Sequence, residues 1–268
     1  MDYQTIFDRL WKDYTARNPS TKQIYDLFIS DGETVINDHI AFRTFDHASV
    51  NVDRLSQVFL KTGYEFRGQY HFDQKKLNAK HFEHKTDKEA PRVFISELMT
   101  EEFSPYLQSI VREWISGIPA GLLNADELIH AGNLTGIPSF GVYEKLREES
   151  EYAAWLYVNG FCANHFTVSV NHLRKYDTIQ KVNAFLKSNG FQFNDAGGEI
   201  QGTPDELLEQ SSIKAGIVKF NFMEGKFEIP GCYYEFAKRY PGSDGNLYSG
   251  FIAKSADKIF ESTNFYKK

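Results

Sequence analysis

The sequence predicts an α+β fold built from two copies of a βαβββ module. Three observations predict it. Phe59-Leu60-Lys61-Thr62-Gly63-Tyr64-Glu65-Phe66 is repeated, with one extra residue before the glycine, as Phe185-Leu186-Lys187-Ser188-Asn189-Gly190-Phe191-Gln192-Phe193. Twenty residues ahead of each leading Phe stands a histidine, His39 and His165. Each histidine opens a run that alternates with period two, His39-Ile40-Ala41-Phe42-Arg43-Thr44-Phe45 and His165-Phe166-Thr167-Val168-Ser169-Val170.

The elements follow in order. Residues 2–30 carry two amphipathic segments, with Ile6, Leu10, Trp11 and Tyr14 on one face and Ser20 as N-cap of the second. The first histidine strand leads into a helix in which Val52, Leu55, Val58 and Phe59 recur at helical spacing, stopped by Gly63. Strands are then expected over Tyr64–Tyr70, Leu77–His84 and Arg92–Leu98. Ser104-Pro105 reads as an N-cap with Pro at the first helical position, followed by Leu107, Ile110, Val111, Trp114 and Ile118 at helical spacing. A second linker helix covers roughly Ser139–Val158. After the second histidine strand, Ile179, Val182, Phe185 and Leu186 mark a helix ended by Asn189-Gly190. Strands are expected over Phe191–Phe193, Gly216–Phe222 and Tyr233–Arg239. The chain thus divides into a helical N-terminus (1–30), a first module (36–99), a helical linker (100–160), a second module (161–254) and a tail (255–268), packed as one domain.

Composition narrows the function classes. The 268 residues carry a net charge of −6 and no long basic run, which argues against nucleic acid. Only Cys162 and Cys232 are present, outside any Cys-x-x-Cys pair, so a disulfide framework is not expected. No apolar run is long enough to span a membrane and the polar start does not read as a signal peptide, so a cytoplasmic location is expected.

Period-two geometry sorts the side chains. His39, Ala41 and Arg43 share one face of their strand, and His165, Thr167 and Ser169 share one face of theirs, opposite the apolar residues that should lie under the helices. In the last strand Tyr233, Glu235 and Ala237 share a face. A strand histidine taken singly is more often a hydrogen-bonded core residue; recurrence at one offset in both copies favours a ligand role. A carboxylate flanked by Tyr and Phe is costly unless paired or metal-bound. Two imidazoles and one carboxylate make a half-filled coordination sphere suited to non-haem Fe(II), and acceptable to zinc or another divalent metal. Glu235 could instead pair with Arg43 or Arg239. Glu97, read as the first-copy counterpart of Glu235, could support a ligand from behind, face solvent or compete as a ligand. His81 and His84 sit in a charged stretch and read as exposed; His47, His71, His130 and His172 have no equal claim. Arg43 lies beside the site with small Ala41 between, suited to a bidentate grip on a substrate carboxylate, or else to a structural salt bridge.

These paired modules resemble the vicinal oxygen chelate superfamily of glyoxalases and extradiol dioxygenases. More narrowly, His39–Phe45, Pro91–Leu98, Asn164–Val168, Leu208–Ser212 and Ile229–Arg239 resemble the 2-oxoadipate dioxygenase/decarboxylase family. The resemblance implies an Fe(II) enzyme of lysine breakdown that converts 2-oxoadipate and O2 to 2-hydroxyglutarate and CO2. It implies metal ligands His39, His165 and Glu235, and Arg43 on a substrate carboxylate. Gln210, Ser211 and Ser212 are candidate polar contacts to substrate, or the cap of a turn. The rival readings are a glyoxalase-like isomerase or hydrolase using zinc or nickel, and a non-catalytic binding module. The expected partners are a small 2-oxo acid and O2, with homo-oligomerisation left open.

Overall fold

The computed structural model describes residues 2–123 and 126–254; the tail expected over 255–268 lies outside the described residues. Two helices come first, α1 (Tyr3–Arg17) and α2 (Pro19–Ser30). The expected cap Ser20 is displaced: Asn18 takes the N-cap position and Pro19 opens the helix. Pro has no N–H to leave unsatisfied there and its fixed φ suits a first turn. The Asn18 side chain works elsewhere, donating to the Tyr14 carbonyl at 2.8 Å and accepting from the Cys232 N–H at 3.0 Å.

The first module runs β1 (Asn37–Phe45), α3 (Val52–Lys61), β2 (Tyr64–Phe72), β3 (Leu77–His84) and β4 (Arg92–Leu98). Gly63, at φ +100°, follows α3 in the left-handed region that a side chain would strain. The linker holds α4 (Pro105–Ser116), capped by the Ser104 hydroxyl, then a short α5 (Ala120–Leu123), α6 (Phe140–Glu149) and α7 (Glu151–Asn159). The single helix expected over Ser139–Val158 is therefore two. It breaks at Ser150, whose extended backbone lets its hydroxyl accept from the Ala153 N–H and start α7 afresh.

The second module contains β5 (Ala163–Ser169), α8 (Ile179–Ser188), β6 (Gln201–Thr203), β7 (Leu208–Ser212) and, after a separate hairpin of β8 (Ile217–Phe222) with β9 (Gly225–Pro230), β10 (Glu235–Arg239). Two strand expectations are corrected here. Phe191–Phe193 makes only an isolated bridge, Phe193 to Ile213, and Gly216–Phe222 belongs to the outlying hairpin instead of the main sheet. The strand that fills the vacancy is β7.

All strands but β8 and β9 join one eight-stranded sheet in the order β2-β3-β4-β1-β5-β10-β7-β6. Each half repeats the other: a histidine strand pairs in parallel with the last strand of its module, and the two histidine strands meet antiparallel at the centre. The apolar face packs under helices, with Phe42 against Phe59 of α3 and Phe236 against Phe28 of α2. Phe166 meets Trp11 and Tyr14, so α1 covers the second histidine strand. Burial of these aromatic rings supplies the hydrophobic driving force that locks strand register, because a one-residue slip would send them to the polar face.

Candidate metal centre

The register of the central strands places the polar residues. Ala41 lies opposite His165, His39 opposite Thr167, and Thr167 opposite Glu235 on β10. Three adjacent strands thus present His39, His165 and Glu235 to the concave face. Their ligand atoms lie within 4.8 Å of one another and all three side chains are buried; among the described residues no other cluster of His, Cys, Asp or Glu is recorded in that arrangement. Glu235 Oε2 is 3.1 Å from His165 Nε2, and Oε1 is 3.7 Å from His39 Nε2.

Each imidazole is held from behind by the residue before it. Asp38 is an ionised acceptor, so His39 Nδ1 donates to it, at 2.8 Å. Asn164 Oδ1 stands 3.0 Å from His165 Nδ1. Both Nε2 atoms thereby face the interior of the site: that of His165 lies against Glu235, and that of His39 accepts from the Thr167 hydroxyl at 3.0 Å, with Glu235 beyond it. Burial and Arg239 dominate Asp38: burial alone would raise its carboxyl, but Arg239 and the His39 bond hold it well below the usual range. Burial likewise works against Glu235, yet His39 and His165 keep it below the ordinary carboxylate value. Burial pushes His165 below the usual imidazole value, against the pull of Glu235. Two imidazoles and a carboxylate converging among buried residues, with protonation of His165 disfavoured, fit a divalent cation. The groups behind the histidines match the way metal-bound imidazoles are oriented in general.

Other expected residues fall on both sides of the sheet. Arg43 is on the site's face, its guanidinium 4.9 Å from the Tyr152 ring centre and 5.1 Å from Trp155, both on α7. Gln210 on β7 donates through Nε2 to Glu235 Oε1, so it holds the Glu235 carboxylate. Ser212 pairs in register with Glu235 and shares Gln210's face. Ser211 points the other way and donates to Asn183 Oδ1 on α8 at 2.7 Å, which keeps it from the concave face. Glu97 is also on the helix side, where its Oε2 accepts the Val52 N–H at 2.8 Å and caps α3. It is not the counterpart of Glu235. Glu235 faces the residue two after His165, and the residue two after His39, Ala41, faces Phe94. Phe94 holds the equivalent place. Nor does Glu235 pair with Arg239, which grips Asp38 at 2.7 and 2.9 Å.

His81 is buried, not exposed: its Nδ1 lies 2.9 Å from the Tyr70 hydroxyl and its Nε2 3.1 Å from Glu83. Phe251, which no periodicity marked, covers the site from the C-terminal side with its ring 4.8 Å from that of His39. Asp38 and Asn164 were also unmarked, although a polar residue directly ahead of both repeated histidines was a readable signal.

The chain matches the family described as 2-oxoadipate dioxygenase/decarboxylase over residues 2–118 and 124–242. The chain belongs to that family. Relatives called 2-oxoadipate dioxygenase/decarboxylase occur in Oryza sativa, 37% identical over 98% of this chain and 79% of the relative, and in Arabidopsis thaliana, 35% identical over 97% and 77%. The crystal structure of the Oryza sativa hydroxyglutarate synthase in complex with 2-oxoadipate superposes with a TM-score of 0.90 at 36% identity, covering 98% of this chain and 92% of that one. A Shewanella frigidimarina protein provisionally described as a hydrolase is 47% identical, with a TM-score of 0.88 over 94% of this chain and 98% of that one. A glyoxalase superfamily protein from Ralstonia eutropha shares the fold at 21% identity and a TM-score of 0.77, over 90% and 83% of the two chains. The chain thus has a vicinal-oxygen-chelate-like curved sheet.

Proposed function

We propose that the chain is an Fe(II)-dependent enzyme that converts 2-oxoadipate and O2 to 2-hydroxyglutarate and CO2. The observation that carries the reading is the convergence of His39 Nε2, His165 Nε2 and a Glu235 carboxylate within 4.8 Å in a family of dioxygenase/decarboxylases. His39, His165 and Glu235 would hold the metal. Bound Fe(II) supplies the redox chemistry and the open coordination positions that oxygen and a 2-oxo acid require. The protein's own contribution is positioning. Arg43, boxed by Tyr152 and Trp155, pairs with a substrate carboxylate and fixes the acid's orientation. Gln210 keeps Glu235 aimed into the site, Ser212 offers a polar contact beside it, and Phe94 with Phe251 gives an apolar wall. These two rings, 4.8 Å apart, exclude water from the face where the carbon chain would lie.

Anaerobic loading with Fe(II), followed by 2-oxoadipate and air, tests the reading. One CO2 and one 2-hydroxyglutarate should appear for each O2 consumed. Turnover of a 2-oxo acid by the zinc-loaded protein without oxygen would favour the hydrolase or isomerase reading instead.

A further inference from the structure

Besides the Thr167 hydroxyl on its Nε2, the ring of His39 has two supports, and both lead to Arg239. On one side Asp38 accepts from His39 Nδ1 at 2.8 Å, while Arg239 donates through Nε and Nη2 to the same carboxylate at 2.7 and 2.9 Å. Arg92 stands further off, with Nη1 3.5 Å from Asp38. On the other side Phe251 meets the His39 ring edge-to-face, at 4.8 Å and 90°. Phe251 lies in the strap that follows β10. That strap is tied down by the remaining arm of Arg239, whose Nη1 donates to the carbonyls of Tyr248 at 2.9 Å and Gly250 at 2.8 Å. The guanidinium also faces the Phe251 ring at 5.2 Å. A second tie is the Phe251 N–H, which donates to the Tyr70 hydroxyl at 3.1 Å.

We propose that Arg239 is a positioning residue that couples closure of the strap over Tyr248–Phe251 to the alignment of the metal ligand His39. A planar guanidinium presents its donors in a fixed fork. Its Nε–Nη2 edge cannot turn toward Asp38 without setting the direction of Nη1. When the strap is seated, the fork is fixed and Asp38 is fixed with it. When the strap leaves, Nη1 loses two acceptors, Asp38 loses its orientation and His39 loses the packing of Phe251. Among the described residues His165 has no such link: Asn164 holds it, and Asn164 is not bonded to Tyr248–Phe251 or to Arg239. Metal affinity and strap closure are therefore one equilibrium seen from two ends, and the coupling is reciprocal.

The inference rests on His39 being a metal ligand, and full-length protein with Co(II) as probe separates the two. Failure of the wild type to bind Co(II) would overturn the metal reading; binding without coupling would overturn only this one. Two variants perturb opposite ends. Asp38→Asn touches no strap atom, but an amide cannot accept on both sides, so the fork or the imidazole loses its partner. Hydrogen exchange of the Tyr248–Phe251 peptide should rise about tenfold. Phe251→Ala removes no ligand, yet Co(II) affinity should fall at least about tenfold, the lower end of what loss of an outer support costs a metal site. Asn164→Ala is the control: weaker Co(II) binding with strap exchange unchanged. Arg239→Lys keeps the charge without the fork and should show both effects. Should Asp38→Asn fail to fold, the Phe251→Ala affinity and the Arg239→Lys exchange still decide. Strap exchange at the wild-type rate in a folded Asp38→Asn or Arg239→Lys protein, or Phe251→Ala affinity within about twofold of wild type, would overturn the coupling.

Discussion

The two modules share one topology and differ in what they give the site. In the second, β5 and β10 each deliver a candidate ligand, His165 and Glu235. In the first, β1 delivers His39, but β4 carries Phe94 where a carboxylate would complete the symmetry. The internal repeat accounts for the pair of histidines. Dropping one carboxylate leaves coordination positions open, and an open position separates a reactive metal site from a closed structural one. The aromatic ring in the spare place does further work, since it packs on Phe251 and Tyr70 and forms the apolar wall. The supports differ too. Asp38 behind His39 is charged and tied to Arg239, whereas Asn164 behind His165 is neutral.

The sharpest way to break the comparison is to remove a second-module ligand. His165→Ala or Glu235→Ala should weaken Fe(II) or Co(II) binding by more than about 100-fold, above the range expected for an outer support. Equilibrium titration with a metal chelator reads it. Restoring the symmetry comes next. Phe94→Glu should place a fourth ligand on the metal, tightening Co(II) binding while lowering oxygen-dependent turnover by roughly 100-fold as an open position is filled; weaker binding with turnover intact would contradict the assignment of Phe94. Arg43→Ala should leave metal affinity alone and lower kcat/KM for 2-oxoadipate by about 10- to 100-fold, the worth of a charged hydrogen bond. Steady-state kinetics with a metal titration in parallel checks both halves. The smallest effect belongs to Glu97. Glu97→Gln removes the charged cap on α3 and should cost about 1 kcal/mol in thermal unfolding, with metal binding unchanged.

Much of this asymmetry could be read from the chain, and the exceptions have physical reasons. The histidine strands were legible because one face is apolar and the other is not, so alternation survives in the sequence. β7 was not legible, since Leu208-Glu209-Gln210-Ser211-Ser212 looks like a turn. All five residues are nonetheless buried, and their side chains bond to residues far along the chain: Tyr240 to Glu209, Gln210 to Glu235 and Ser211 to Asn183. Gly216–Phe222 misled in the opposite direction, because a two-stranded hairpin alternates as well as a sheet strand does. Glu97 resembles Glu235 in its position along a strand, but hydrogen-bond register places it one face away. His81 shows that neighbouring charges do not imply exposure, since Glu83 turns inward to meet it. Arg239 and Phe251 act through contacts made only after folding, and no local pattern announces them.

The central claim is that one metal sits between the two modules on ligands from both. Anaerobic titration of the metal-free protein with Fe(II) tests it most directly. One equivalent should bind per chain in the wild type, and none at the same concentrations in a folded His165→Ala protein. Equal uptake by both, or no uptake by either, would contradict the account.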